Sequence, residues 1–259
     1  MPLSLPLSLT YRGRVGLFDD LDVVGARRDL VALGGVLDAD TLTAAYRAGV
    51  FPWPAAPSDE AALRRAARRR AVPVLPGTPA GCVLVPWCSP DPRAVLLPDR
   101  LVVPRSLRQL LRRCGWEATL DTAFVRVLEA CAHRDQTWIT GPMKTAYVEL
   151  HERGGAHSVE VWDGDRLVGG LYGVLTGRVF SGESMFFHES GASKAAIVEL
   201  CSRLVESGVA VLDTQQESEH LRALGQLLVH RREYVAAVRQ LRDDPAPLRT
   251  DRRPLARLG

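Results

Sequence analysis

The chain has 259 residues, 46% of them hydrophobic and 24% charged, a balance typical of soluble globular domains. That excludes a disordered tail, a collagen-like fibre and a disulfide-stapled miniprotein, and one large domain or two smaller ones can bury a core at this length without a structural metal. The net charge is only +3, yet 31 of the 33 basic residues are Arg, Lys144 and Lys194 being the two lysines. Arg suits bidentate contacts with phosphate or carboxylate; an Arg-rich coding bias gives the same composition.

Residues 1–25 read as irregular. A helix is expected from an N-cap at Asp38 or Asp40 through Leu42, Ala45 and Tyr46 to a stop at Gly49. The following Phe51-Pro52-Trp53-Pro54 is extended, because each proline biases its predecessor away from helix. Residues 55–80 form the best linker candidate, with a short helix capped by Asp59 that carries Arg64, Arg65, Arg68, Arg69 and Arg70. Cys82–Pro86 and Arg93–Leu97 read as short strands around a turn at residues 89–92. Ser106 and Gln109 make a capping box for a helix ending near Gly115. A strand at Trp116–Leu120 and a helix over 122–132 follow, then a helix capped by Thr140 and closed at Gly154. His157–Trp162 and Arg166–Val174 form a hairpin on the Asp163-Gly164 turn. Strand Arg178–Phe187, a helix over 193–207, strand Val209–Asp213 and two short helices complete the order, with 243–259 expected to fray. The run of antiparallel strands with one late strand–helix–strand unit predicts an α+β fold.

Several chemistries lack their signatures. There is no G-x-G-x-x-G, Walker A loop or G-x-S-x-G elbow. The five cysteines show no C-x-x-C spacing and the histidines no H-E-x-x-H, so no metal site is expected. Arg222-Ala-Leu-Gly225-Gln-Leu227 is a near miss for a pyrophosphate loop, spoiled by Leu227 where the backbone needs a small residue. No apolar run approaches the ~18 residues of a membrane span, and the N-terminus lacks a signal-peptide pattern. A cytoplasmic protein is expected.

Four groups of residues are candidates for function. Alternation along residues 180–187 puts Ser181, Glu183, Met185 and Phe187 on one strand face. A carboxylate between Met and Phe is costly to bury without a cation or donors. Two readings stand: a cationic substrate group satisfies Glu183, or an Arg on a neighbouring strand does. Asp213 ends an apolar strand with Gln215 two residues on, which suits a ligand crevice or a cap for the next helical turn. Trp53 and Trp138, at loop positions, offer stacking faces for a base. Arg105, Arg108, Arg112 and Arg113 on one helix can track a phosphate backbone, or form a solvated face.

Taken in order, several segments resemble one family, the leucyl/phenylalanyl-tRNA–protein transferases. They include Leu30-Val-Ala-Leu-Gly-Gly35, Ala45-Tyr-Arg-Ala-Gly-Val-Phe-Pro-Trp53, Ser89-Pro-Asp-Pro-Arg93, Thr137-Trp-Ile-Thr140, Val168-Gly-Gly-Leu-Tyr-Gly173, Gly182-Glu-Ser-Met-Phe186, Ala192-Ser-Lys194 and Leu212-Asp-Thr-Gln215. The resemblance implies a small N-terminal domain, placed at residues 1–85, and an acetyltransferase-like catalytic domain over 86–259. It implies transfer of Leu, Phe or Met from aminoacyl-tRNA to proteins beginning with Arg or Lys, marking them for degradation, with no cofactor and as a monomer. Asp213 and Gln215 would bind and orient the acceptor amine, Asp213 taking part in proton transfer, and Glu183 would hold the acceptor's positive end. Phe180, Leu171, Met185 and Leu212 would line the donor side-chain pocket. Trp53, Tyr46, Trp138 and Tyr147 would surround the terminal adenosine, and Arg105, Arg108, Arg112 and Arg113 would contact the acceptor stem. Residues 56–80 are longer and more basic than the family pattern. An acyl-CoA-dependent acyltransferase and an RNA-binding module are the alternatives.

Overall fold

The computed structural model describes residues 16–53, 60–69, 72–76, 78, 84–133 and 138–259. Arg70, Cys82 and Thr137, named above, lie outside them.

A small sheet comes first. Strands β1 (Leu30–Gly34), β2 (Phe51–Pro52), β3 (Val74–Leu75) and β4 (Pro86–Cys88) lie in the order β2-β4-β1-β3. Helix α1 (Ala39–Arg47) starts at Asp38, whose carboxylate accepts the Thr41 N–H at 2.9 Å, and the chain turns out of it at Gly49 with φ 79°. This is the start and stop expected from a capping Asp and a left-handed Gly. The indole of Trp87, fully buried, donates to the Gly34 carbonyl at 2.8 Å and pins β4 to β1. Helix α2 (Glu60–Arg68) carries the basic segment.

The large sheet has eight strands: β5 (Arg93–Leu96), β6 (Glu117–Leu120), β7 (Ala156–Asp163), β8 (Arg166–Thr176), β9 (Val179–Phe187), β10 (Val211–Gln215), β11 (Leu227–Val229) and β12 (Arg253–Pro254). They lie in the order β11-β5-β10-β9-β8-β7-β6-β12. Every neighbouring pair in it is antiparallel except β9 and β10, which are parallel. A parallel pair needs a crossover, here helix α6 (Ala192–Glu206). Helices α3 (Arg105–Arg113) and α6 pack with Leu171, Phe180 and Leu212 on one face of the sheet. Helices α4 (Phe124–Ala132) and α5 (Gly141–Glu152), together with α1 and the small sheet, share a core with Tyr172 and Val174 on the other. Two further helices, α7 (Glu219–Arg222) and α8 (Arg231–Leu241), follow β10. The α+β expectation is met. Gly169 on β8 lets the first turn of α6 sit hard against the sheet, since a Cβ there would stand 2.6 Å from the Cβ of Ala192.

Four expectations need correcting. The division after residue 85 falls ahead of β4, which pairs with β1 and β2 and so belongs to the small sheet. No side chain caps α3; Pro104 occupies its N-cap. The strand placed over 82–86 is observed at Pro86–Cys88. The segment 243–259 is not frayed: β12 pairs with β6, Leu255 is fully buried, and Arg257 reaches Glu199 at 2.6 Å. Buried Arg203 donates to the carbonyls of Arg249 and Asp251, the latter at 2.7 Å. Polar side chains, which carry no hydrophobic period, hold this tail in place.

Among the described residues no helix is long and apolar enough to cross a membrane, and no group of three or more His, Cys, Asp or Glu could hold a metal ion.

Candidate active site

The parallel strands β9 and β10 pair only as far as Ser181 and Asp213. Beyond that point their side chains build the site. In β9 the pairing with β8 skips one residue: Gly182 faces Gly173 and Ser184 faces Tyr172, leaving Glu183 as a bulge. The extra residue breaks the alternation expected from the sequence. Met185 lies opposite Leu171 and Phe180 opposite Leu175, so these two share the α6 face, whereas Ser181, opposite Val174, looks the other way. The expected grouping of Ser181 with Met185 and Phe187 is therefore corrected.

Glu183 is buried. Its Oε2 accepts from the Tyr147 hydroxyl at 2.8 Å and its Oε1 from Gln215 Nε2 at 2.6 Å. The Tyr46 and Tyr147 hydroxyls are 2.7 Å apart; Tyr147 gives its one proton to Glu183, so Tyr46 donates to Tyr147. No Arg or Lys pairs with this carboxylate among the described residues. Burial pushes the Glu183 carboxyl up to about 7, the Asp213 charge adding to it and the bonds from Tyr147 and Gln215 opposing. Burial and then the Glu183 charge raise both phenols well above their ordinary range, so they remain donors. Tyr46 and Tyr147, at 3% and 0% exposure, have no free ring face for an adenosine. They are the supports of Glu183 instead.

Asp213 meets a different environment. Arg93 grips it through Nε at 2.8 Å and Nη2 at 2.7 Å, and both side chains are fully buried. Tyr234 donates at 2.8 Å, Ser181 at 3.1 Å and the backbone N–H of Gln215 at 2.9 Å. Arg93 lies between the rings of Phe51 and Tyr234, 4.7 and 4.4 Å from their centroids. A carboxylate has about four lone-pair sites, and five donors already fill these. Asp213 is thus left without a free acceptor site for the amine that the resemblance assigns to it, and it caps no helix. It positions Gln215, whose φ of 64° is a left-handed backbone that a non-glycine residue adopts only when its surroundings hold it there. Arg93, Tyr234 and Ser181 were missed as functional. Arg93 ends the Ser89–Arg93 motif, so its position was visible; nothing near Tyr234 links it to Asp213 in sequence.

Beside Glu183 opens a cavity of about 130 Å³, lined by Leu171, Met185 and Leu212 together with Leu96, Ile197, Leu200 and Leu221. Three of the four expected pocket residues are there. The fourth, Phe180, is fully buried and does not line it; its ring fills the space beside Gly173. Gln215, Glu183 and the cavity lie together, as expected. Trp53 is 41% exposed and stacks on Trp138 with ring centroids 6.3 Å apart and planes 6° apart. Arg105, Arg108, Arg112 and Arg113 are all exposed on α3, line a shallow groove, and have no acidic partner among the described residues.

The arrangement can hold one apolar side chain and orient a nucleophile next to a carboxyl that titrates near neutrality. Known proteins resemble the chain in sequence. The family described as leucyl/phenylalanyl-tRNA protein transferase matches residues 95–239, and the N-terminal domain of the same family matches residues 35–61. A leucyl/phenylalanyl-tRNA–protein transferase of Pseudomonas syringae pv. tomato is 44% identical over 200 residues, covering 76% of each chain. That of Stutzerimonas stutzeri is 42% identical over 221 residues, covering 84% of this chain and 87% of its own. Among solved structures, a GCN5-related N-acetyltransferase from Kribbella flavida covers 54% of this chain and 55% of its own at 16% identity and a TM-score of 0.36, a likeness too slight to carry an argument. By its sequence, from the small sheet through α8, the chain belongs to the leucyl/phenylalanyl-tRNA–protein transferase family.

Proposed function

We propose that this enzyme moves leucine, phenylalanine or methionine from the 3′ end of an aminoacyl-tRNA to the α-amine of proteins beginning with Arg or Lys. A new apolar N-terminus then marks the acceptor for degradation. The observation that supports this reading most directly is Glu183, a carboxylate with no cation of its own among the described residues, held by Tyr147 and Gln215 beside an apolar cavity of one side chain's size.

The donor's side chain enters the cavity between Leu171, Met185 and Leu212. Unbranched and γ-branched side chains fit, whereas β-branched ones crowd its neck. The terminal adenosine stacks on the exposed face of Trp53 or Trp138, and the acceptor stem lies along the arginines of α3. In this reading the small sheet contributes Trp53 and the large one the cavity and the carboxylate. Cytoplasmic location and a monomeric state belong to the same proposal.

An aminoacyl ester is already activated, so the reaction mainly needs a neutral, aligned amine. An α-amine titrates at about 7.7–8.0, close to the raised Glu183. Glu183 takes one proton from the incoming ammonium, and the Gln215 amide oxygen accepts from the neutral amine. The nitrogen attacks the ester carbonyl, the carbon–oxygen bond to the ribose breaks, and the 3′-hydroxyl leaves with a proton from the amine. Asp213 holds the backbone N–H of Gln215 throughout.

The test is a transfer assay to an Arg-starting peptide with leucyl-tRNA or an acyl-CoA as donor. Leucylated peptide from leucyl-tRNA alone is expected. Acylation from acyl-CoA, or RNA binding without any transfer, overturns the reading.

A further inference from the structure

A second concavity, of about 690 Å³, adjoins the donor cavity and shares Met185, Ile197 and Leu221 with it. Apart from these three, none of its residues has yet been given a role. Lys194, one of only two lysines in the chain, lines it, as do His133, His188, His220 and Phe187. Phe187 is 62% exposed, an unusual place for a large aromatic beside a polar groove. No carboxylate lines it among the described residues. Glu189, close in sequence, is engaged by Arg166 at 2.7 Å. The Lys194 ammonium makes no hydrogen bond or ion pair with a described residue, in contrast to Lys144, which holds Glu129.

The position of the groove adds direction. At one end Gly191 abuts Leu110 of α3, since a Cβ at Gly191 would stand 2.4 Å from that side chain. The outer face of α3 carries the arginine row, which has no acidic partner among the described residues. His133, the C-cap of α4, lines the groove as well. The groove thus runs from the donor cavity, with which it shares a wall, to the helix that carries the surface suited to a phosphate backbone.

From this juxtaposition we infer that the groove carries the single-stranded RNA nucleotides that precede the terminal adenosine, with a phosphate on Lys194 and a base on Phe187. The inference rests on the aminoacyl-tRNA reading of the donor cavity. A positive groove with an exposed ring is what single-stranded nucleic acid requires, backbone charge and stacking being its two handles. An acceptor beginning with Arg or Lys would meet only like or neutral charge here.

The experiment compares wild type with Lys194→Ala, Lys194→Arg and Phe187→Ala, measuring the KM for leucyl-tRNA and for an Arg-starting peptide in one assay. Lys194→Ala is expected to raise the KM for leucyl-tRNA at least fivefold and to lower the salt slope of tRNA binding by about 0.7. Lys194→Arg should restore both. Phe187→Ala should raise the same KM about tenfold through lost stacking. The KM for the peptide should stay at the wild-type value, as should the thermal midpoints, since both side chains reach solvent. A rise confined to the peptide KM would make the groove an acceptor channel and overturn the inference, as would unchanged values for all variants. Failure of wild type to use leucyl-tRNA at all would instead overturn the proposed function.

Discussion

Asp213 and Glu183 lie on adjacent strands and are bridged by Gln215, which gives its backbone N–H to one and its side-chain amide to the other. Burial alone does not distinguish them. Their partners do. Asp213 has a buried guanidinium, two hydroxyls and a peptide N–H, a set that occupies its lone pairs. Glu183 has a phenol and an amide, neutral donors that leave a carboxyl able to gain or lose a proton near pH 7. The buried carboxylate with its own cation is framework, and the one without is where a substrate's charge can matter.

The comparison breaks first at Asp213. Asp213→Ala leaves Arg93 buried without its partner, and losing one member of such a pair costs about 3–5 kcal/mol. The variant should melt far below wild type, with transfer activity lost in any folded fraction because Gln215 is no longer held. A folded, fully active Asp213→Ala protein with an unchanged thermal midpoint would show that the Arg93 pair positions nothing.

Glu183→Gln sharpens the contrast. Turnover should fall at least tenfold while the thermal midpoint at pH 7 scarcely moves. The pH dependence carries the sign. The folded carboxyl is raised from an ordinary 4.5 to about 7, so the native state binds more protons than the unfolded one between these values. Wild type should therefore lose stability as pH rises through that window, and Glu183→Gln should not lose that increment. In activity, the rising limb near pH 7 should vanish in the variant. A destabilised protein with wild-type turnover would move Glu183 into the framework beside Asp213.

The smallest effect is expected at the edge of the site. Trp53→Ala should raise the donor KM about fivefold, the low end of the ~1–3 kcal/mol that a stacked base contributes, and leave both carboxylates as they are. An unchanged donor KM would remove Trp53 from the adenosine contact.

Much of the scaffold was readable beforehand for physical reasons. Helix α1 was bounded by a capping Asp and a left-handed Gly, and the β7–β8 hairpin by an Asp-Gly turn, signals that act within four residues. The cavity was legible through Leu171, Met185 and Leu212, and the neighbourhood of Glu183 and Gln215 through the resemblance of their motifs. The bulge at Glu183 was not, because nothing in Gly182-Glu183-Ser184 announces which residue the neighbouring strand will skip. Arg93 lies 120 residues from Asp213 and Tyr46 lies 101 from Tyr147, so a sequence can present each as a candidate without showing whom it meets. Aromatics assigned to a ligand became supports for a carboxylate, and the carboxylate assigned to a proton became an anchor.

Gly169 does not line the cavity, yet it bears on the cavity's shape. The close seat it gives Ala192 sets the height of α6 above the sheet, and α6 carries Ile197 and Leu200 into the wall of the donor cavity. A single methyl group at 169 would lift that end of the helix like a shim under a lid. The depth of the chamber is in this sense a ruler cut by a missing side chain, and its graduation can be altered without touching any residue that meets the donor.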